Sequence, residues 1–148
     1  MSLKEQLSSA LHQAMKAGEE IKKSTVRMAL AAIKNAEIQS RKELNDGEVL
    51  GILQKEVRTR REALEEAETA KRQDLIAAAH AEIAVLEAFL PAAMSEAKLL
   101  EMIREAIAET GAGSPTDMGR VMKVLLPKVQ GQADGKQVSS LVRQLLQG

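Results

Sequence analysis

Two histidines, His12 and His80, are the only imidazoles in the sequence, and each stands alone on a predicted helix. Neither has a second metal ligand three or four residues further on, the spacing that places two side chains on one helical face. No cysteine is present, which excludes thiolate metal sites, disulfides and a cysteine nucleophile. The residues therefore predict no metal and no cofactor, and each histidine is interpreted as a surface or boundary residue.

Other catalytic patterns are also absent from the sequence. None of the serines lies in a Gly-x-Ser-x-Gly turn. The glycine-rich segment 111–114 lacks the lysine and the preceding strand of a phosphate-binding loop, so it predicts a helix end. Adjacent carboxylates such as Glu65 and Glu66 point to different sides of a helix and cannot act as an acid–base pair. We expect the isolated chain not to be an enzyme.

The elements that carry these residues are all predicted to be helices. Apolar residues make up 45% of the 148 positions but aromatic residues only 1%, so the core must consist of aliphatic side chains and methionine. Apolar residues recur at spacings of three and four, and no alternating strand pattern persists. The fold class predicted is all-α, with two helical subdomains.

The first predicted subdomain, residues 1–91, is a bundle of four helices. Their expected starts are a capping box of Ser2 with Glu5, a point near Glu20, an N-cap at Asp46, and a break at Arg72-Gln73-Asp74. The second helix is expected to run toward Leu44, and Pro91 ends the fourth. The dense charges near Arg58, Arg60 and Arg61 could form a basic stripe for RNA, but they are interpreted as a solvated face with ion pairs along the helix.

The second predicted subdomain, residues 92–148, contains three helices. Ser95 caps the first, Ser114-Pro115-Thr116-Asp117 leads into the second, which Pro127 closes, and Asp134 starts the third. Two apolar sets with identical spacing predict that the last two helices form a hairpin. The sets are Met118, Val121, Met122, Leu125 and Leu126, then Val138, Leu141, Val142, Leu145 and Leu146.

Charge is balanced over the whole chain, 21 basic against 21 acidic residues, but it is not evenly distributed. From Ser114 onward only Asp117 and Asp134 are acidic, and the difference from five bases is +3. This small excess of positive charge weakly favours anionic ligands. The five bases are Arg120, Lys123, Lys128, Lys136 and Arg143.

Neither a signal peptide nor a membrane span is predicted. The chain begins directly with an amphipathic pattern, and no apolar run approaches the roughly 20 residues that a spanning helix needs. We therefore expect a cytoplasmic protein without a membrane partner.

Several segments spread over the chain resemble the GatB/YqeY domain family and its free-standing YqeY-like members. In the hairpin, segments 118–123 and 127–138 carry the resemblance. Before the hairpin it rests on Ala14-Met15-Lys16-Ala17-Gly18, Val26-Arg27-Met28, Gln54-Lys55-Glu56-Val57 and Leu86-Glu87-Ala88-Phe89-Leu90-Pro91.

This resemblance implies two helical subdomains and a C-terminal subdomain like the tail of the B subunit of the glutamine-dependent aspartyl/glutamyl-tRNA amidotransferase. That tail engages tRNA, and the chemistry of the enzyme, a carbon–nitrogen ligase with glutamine as amide donor, resides in parts absent here. The resemblance therefore implies a non-catalytic tRNA-binding accessory protein, with the five bases as candidate RNA contacts. The alternative is a protein-interaction module that docks on an aminoacyl-tRNA synthetase or an amidotransferase through an open Met118–Leu126 stripe.

The motif residues leave two interpretations open. Gly119 in a predicted helix costs about 1 kcal/mol relative to alanine, which suggests close approach by a neighbouring helix or by a ligand. Gly131 and Gly135 either expose backbone N–H groups to phosphate or only permit a tight turn. The candidate motif and loop residues are Gly119, Val121, Met122, Gly131, Ala133, Asp134 and Gly135. The family usually has glycine at Lys123 and often a base at Gln132, so one cation is added beside the motif and one is missing from the loop.

Overall fold

A computed structural model describes residues 1–147, which form seven α-helices, one short 3-10 helix and no strand. The predicted all-α fold class is confirmed. The chain divides into two compact units, Met1–Pro91 and Ala92–Gly148.

Four helices build the N-terminal unit around one aliphatic core. They are α1 (Leu3–Ala17), α2 (Glu20–Ser40), α3 (Asp46–Thr69) and α4 (Gln73–Glu87). The core side chains with no exposed surface are Leu7, Val26, Val49, Leu53 and Leu86, one or more from each helix. Each helix contributes one apolar stripe, so the unit is held together mainly by burial of aliphatic surface.

Side-chain caps set several of the helix ends. Ser2 and Glu5 form the predicted capping box, and Gly18 ends α1 in the left-handed conformation with φ 71°. The third helix begins differently from the prediction: Asn45 is its N-cap, accepting the Glu48 N–H at 2.9 Å. The Asp46 carboxylate instead accepts the Leu3 N–H at 3.0 Å and ties the start of α1 to the start of α3.

The second helix is shorter than predicted, because it ends at Ser40 rather than continuing toward Leu44. Arg41 adopts a left-handed conformation with φ 57°, which stops the helix. The Glu37 carboxylate accepts the Leu44 N–H at 2.9 Å and the Lys4 ammonium at 2.6 Å, and these bonds stabilise the turn that follows.

Three helices build the C-terminal unit. They are α5 (Glu96–Thr110), α6 (Met118–Val129) and α7 (Gly135–Gln147), and the 3-10 helix Pro115–Asp117 precedes α6. Ser95 caps α5 as predicted, and Gly111 ends it with φ 68°. The core consists of Leu99, Ile103, Ala106, Val121, Leu125, Val129, Val138, Val142 and Leu146.

Two predictions about α6 are wrong. Pro127 does not close the helix, which continues to Val129. Pro127 lies in the last turn, where it removes a single helical hydrogen bond, and the buried Val129 continues the stripe of Val121 and Leu125 at a spacing of four. Leu126, expected on the buried stripe, is 42% exposed because it lies at the edge of the stripe that Val121, Leu125 and Val129 form.

Candidate nucleic-acid interface in the C-terminal unit

Helices α6 and α7 carry all five candidate bases and contain no aspartate or glutamate. Asp134, in the loop that joins them, is the only acidic residue between Met118 and Gln147. The neighbouring α5 is different, since it carries four glutamates against one lysine and one arginine. The excess positive charge of the C-terminal segment is therefore concentrated on one helical hairpin.

Helical periodicity separates the bases of α6 from its core stripe. Val121 and Leu125 are buried, whereas Arg120 and Lys123 are exposed on the far side. Gly119 is also exposed and lies one turn before Lys123. This side of α6 presents a cation next to a position without a side chain.

The same separation occurs on α7. Val138, Val142 and Leu146 are buried, and Lys136 and Arg143 project from the exposed side. Ser140 lies between the two bases, and no carboxylate interrupts this face. A phosphate backbone could contact both bases without repulsion from an acid on this helix.

Ion pairs divide the five bases into two groups. Arg120 pairs with Asp117 at 2.7 Å and also donates to the Thr110 carbonyl at 3.3 Å, and Lys128 pairs with Glu109 at 3.4 Å. Lys123, Lys136 and Arg143 have no ion pair with any residue in the described part of the chain. Those three exposed bases keep their full charge available for a ligand.

Asp117 anchors the segment that leads into α6. Its carboxylate accepts the Gly113 N–H at 3.0 Å and pairs with Arg120, and the Gly113 bond first, then Arg120, lowers the pKa of Asp117. The aspartate therefore stays ionised and neutralises much of the neighbouring guanidinium. Arg120 thus helps to hold the end of α5 near the start of α6, a structural role besides any RNA contact.

The two interpretations of the glycines can now be distinguished. No atom of a neighbouring element lies within 4 Å of the position that a Cβ at Gly119 would take, so helix packing does not require this glycine. Gly131 is buried and has φ 82°, a conformation that requires glycine for the turn itself. The surface at Gly119 therefore has room for a ligand, and the turn accounts for Gly131.

The loop between α6 and α7 is held by its own backbone. The Gln132 and Ala133 N–H groups donate to the Val129 carbonyl at 2.9 and 3.1 Å, and the Gln132 carbonyl accepts the Met94 N–H at 2.9 Å. Gln132, where the family often has a base, thus serves here through its main chain.

Asp134 occupies the N-terminus of α7. Its carboxylate accepts the Lys136 N–H at 3.2 Å, which is the predicted capping role, and its carbonyl accepts the Val138 N–H at 3.0 Å. An acidic cap at this terminus repels phosphate. Any RNA contact at this end of α7 is therefore better made by the Lys136 side chain than by the backbone of Gly135.

The Met118–Leu126 stripe is mostly closed. Met118 and Met122 are half-buried and pack against the core of the unit, Val121 is buried, and Leu126 alone is largely exposed. The protein-interaction alternative predicted that part of this stripe stays open, and Leu126 is the part that does.

Residues 1–147 contain neither a cluster of metal ligands nor a membrane-spanning helix. No three histidine, aspartate or glutamate side chains in this range come together as metal ligands. Among the same residues, no helix combines the length and the apolar character needed to cross a membrane.

The fold and the site define a class of small all-helical proteins with two units, the second ending in a cationic hairpin. Residues 4–146 match the family model described as Yqey-like protein, and the chain belongs to this family. The resemblance inferred from the sequence is thereby confirmed. A similar curated protein is "Altered inheritance of mitochondria protein 41, mitochondrial" from Pyrenophora tritici-repentis (strain Pt-1C-BFP), 25% identical over 144 residues, which are 95% of this chain and 78% of the relative.

Proposed function

We propose that this protein is a cytoplasmic, non-catalytic accessory that binds tRNA through the α6–α7 hairpin, in the manner of the tail of the tRNA-dependent amidotransferase. The observation that carries the proposal is a hairpin whose helices hold five bases and no acid, with three bases free of ion pairs among the described residues. Lys123, Lys136 and Arg143 would contact phosphates, and the exposed Gly119 would let a sugar–phosphate segment approach the helix.

A salt titration of fluorescent tRNA with the full chain tests this proposal. Each phosphate contact contributes about −0.7 to −0.9 to the slope of log affinity against log salt, so three contacts give a slope of roughly −2 to −3. The variant Lys123→Gln/Lys136→Gln/Arg143→Gln should bind about tenfold or more weakly at low salt and show a slope near zero.

The chain offers a matched control for total charge. Lys16, Lys55 and Arg104 are exposed and have no ion pair in the described structure, so Lys16→Gln/Lys55→Gln/Arg104→Gln removes the same charges from other helices. This control should keep the affinity within about twofold of the natural chain. Equal losses in both variants would reduce the interaction to nonspecific charge, and no binding by the natural chain at low salt would overturn the proposal.

The non-catalytic part of the proposal has its own test. Glutamine-dependent amide transfer by the purified chain alone would contradict it. The absence of a cysteine, and of any clustered metal ligands in the part of the chain that the structure describes, supports binding rather than chemistry.

The exposed Leu126 favours a second candidate, a module that docks on an aminoacyl-tRNA synthetase or an amidotransferase. Leu126 lies on the exposed side of α6, together with Gly119 and Lys123, and could enter a partner's apolar pocket. Binding of a purified amidotransferase that Leu126→Glu abolishes, with no tRNA binding by the natural chain, would favour this candidate over the first.

A further inference from the structure

An uncharged, exposed line of side chains runs along α2 in the N-terminal unit. It includes three large apolar side chains that are exposed to solvent: Ile21 is 48% exposed, Met28 55% and Ile38 64%. The line, called here the α2 seam, consists of Ile21, Ser24, Met28, Ala31, Asn35 and Ile38, all of them exposed.

The spacing of the α2 seam is 3-4-3-4-3, which is the spacing of a coiled-coil interface. It covers 17 helical steps, or about 25 Å at about 1.5 Å per residue. The helix buries Thr25, Val26, Ala29 and Ile33 on its other side, so the seam is not part of the core. Every charged residue of α2 lies off the seam.

The α2 seam is complementary to itself when two copies run antiparallel. Its positions pair around a point between residues 29 and 30, so that Ile21 meets Ile38, Ser24 meets Asn35, and Met28 meets Ala31 of the other copy. In this register a large side chain lies beside a small one, and a hydroxyl lies beside an amide. A parallel pair would instead place two exposed asparagines together and two methionines together.

Charge at the two ends of α2 also favours the antiparallel arrangement, whereas Arg27 and Lys34 of the two copies, which flank the middle of the seam, repel each other and keep the pairing weak. The acidic pair Glu19 and Glu20 begins α2, and the basic pair Arg41 and Lys42 follows its end. Antiparallel helices place the acidic end against the basic end and oppose the two helix dipoles. The ion pairs that Glu19 and Glu20 make within the chain are exposed and weak, so they do not prevent such contacts.

The centre of the α2 seam also contacts α3 of the same chain. The guanidinium of the buried Arg60 on α3 lies 3.8 Å from the sulfur of Met28, the largest side chain at the centre of the seam. From these features we propose that the α2 seam pairs with the α2 seam of a second copy of this chain, antiparallel, to form a weak homodimer. A single helix pair is smaller than a standard interface of about 1,600 Å², so the association should depend strongly on concentration.

Sedimentation of the full chain from about 1 to about 500 µM tests the pairing. The natural chain should show a monomer–dimer equilibrium, and Ile21→Lys or Ile38→Glu alone should weaken it about tenfold or more. The combined variant should recover to within about threefold of the natural chain, because each introduced charge then faces its opposite in the other copy. Within one chain the two positions are about 25 Å apart, too far to compensate each other.

The control is Leu75→Glu, which places the same charge on an exposed apolar position of α4, off the α2 seam, and should leave the equilibrium unchanged. Circular dichroism should show equal helix content in all variants, since the substituted side chains are exposed. A natural chain that stays monomeric at the highest concentration would overturn the proposal. A combined variant that associates no better than the single variants would overturn the antiparallel register.

The absence of native cysteines permits a second, independent measurement. Chains with Ser24→Cys mixed with chains with Asn35→Cys should form disulfide-linked heterodimers under mild oxidation, in excess over either homodimer. Homodimers in excess would indicate parallel pairing and contradict the proposal.

Discussion

Arg60 and Arg61 are neighbours on α3 in very different surroundings. Arg60 is only 7% exposed and pairs with Glu56 at 2.7 Å and with Glu82 of α4 at 3.8 Å. Arg61 is exposed and pairs with Glu87. The sequence suggested a solvated face for both, and this is wrong for Arg60, because the register of α3 turns that position toward α4.

This contrast predicts unequal costs of truncation. Arg60→Ala should lower the free energy of unfolding by about 2–3 kcal/mol, since it leaves two half-buried carboxylates without their cation. Arg61→Ala should lower it by less than about 1 kcal/mol, because its pair is exposed. Urea denaturation of both variants at neutral pH measures the difference, and equal losses would show that the buried ion pairs contribute no more than a surface pair.

At the scale of elements, replacing Gly119 near the start of α6 should change protein stability and tRNA affinity in opposite directions. Gly119→Ala should raise the free energy of unfolding by about 0.5 kcal/mol, because a methyl group enters open space in a helix. If RNA approaches the helix there, the same change should weaken tRNA binding several-fold. Thermal unfolding and the tRNA titration, run on one preparation, give both values.

Gly111→Ala is the matched control for Gly119→Ala. Gly111 ends α5 at φ 68°, where alanine is strained, so stability should fall rather than rise. The α6–α7 hairpin is not otherwise changed, and its tRNA affinity under folding conditions should stay the same. Unchanged tRNA affinity in Gly119→Ala would remove the ligand explanation for this glycine.

The ends of helices could be predicted from the sequence where a single local residue determines them. Ser2, Gly18, Ser95 and Gly111 act as expected because capping depends on residues within one turn. The extension of α6 through Pro127 was not predictable, because burial of Val129 in the core of the unit outweighs a single local breaker.

In the candidate interface, too, some features follow from the local sequence and others depend on packing. The five bases could be named from the sequence, but the sequence could not rank them. Lys128 finds its partner Glu109 on another helix, nineteen residues earlier, and such a contact is set by packing. Only the structure separates Lys123, Lys136 and Arg143 from the two paired bases.

At the scale of the whole molecule, the two proposals lie on different units. The proposed tRNA contacts are on α6 and α7, within Ala92–Gly148, and the α2 seam is within Met1–Pro91. Substitutions at sites that share no partner are expected to act additively. Each set of variants should therefore change one measurement and leave the other as it was.

This separation is itself testable. Ile38→Glu, studied at chain concentrations low enough that the natural protein is monomeric, should bind tRNA within about twofold of the natural affinity. The variant Lys123→Gln/Lys136→Gln/Arg143→Gln should sediment with the natural monomer–dimer equilibrium while binding tRNA poorly. A loss of tRNA binding in Ile38→Glu under those dilute conditions would mean that RNA also contacts α2, and the hairpin alone would no longer account for the affinity.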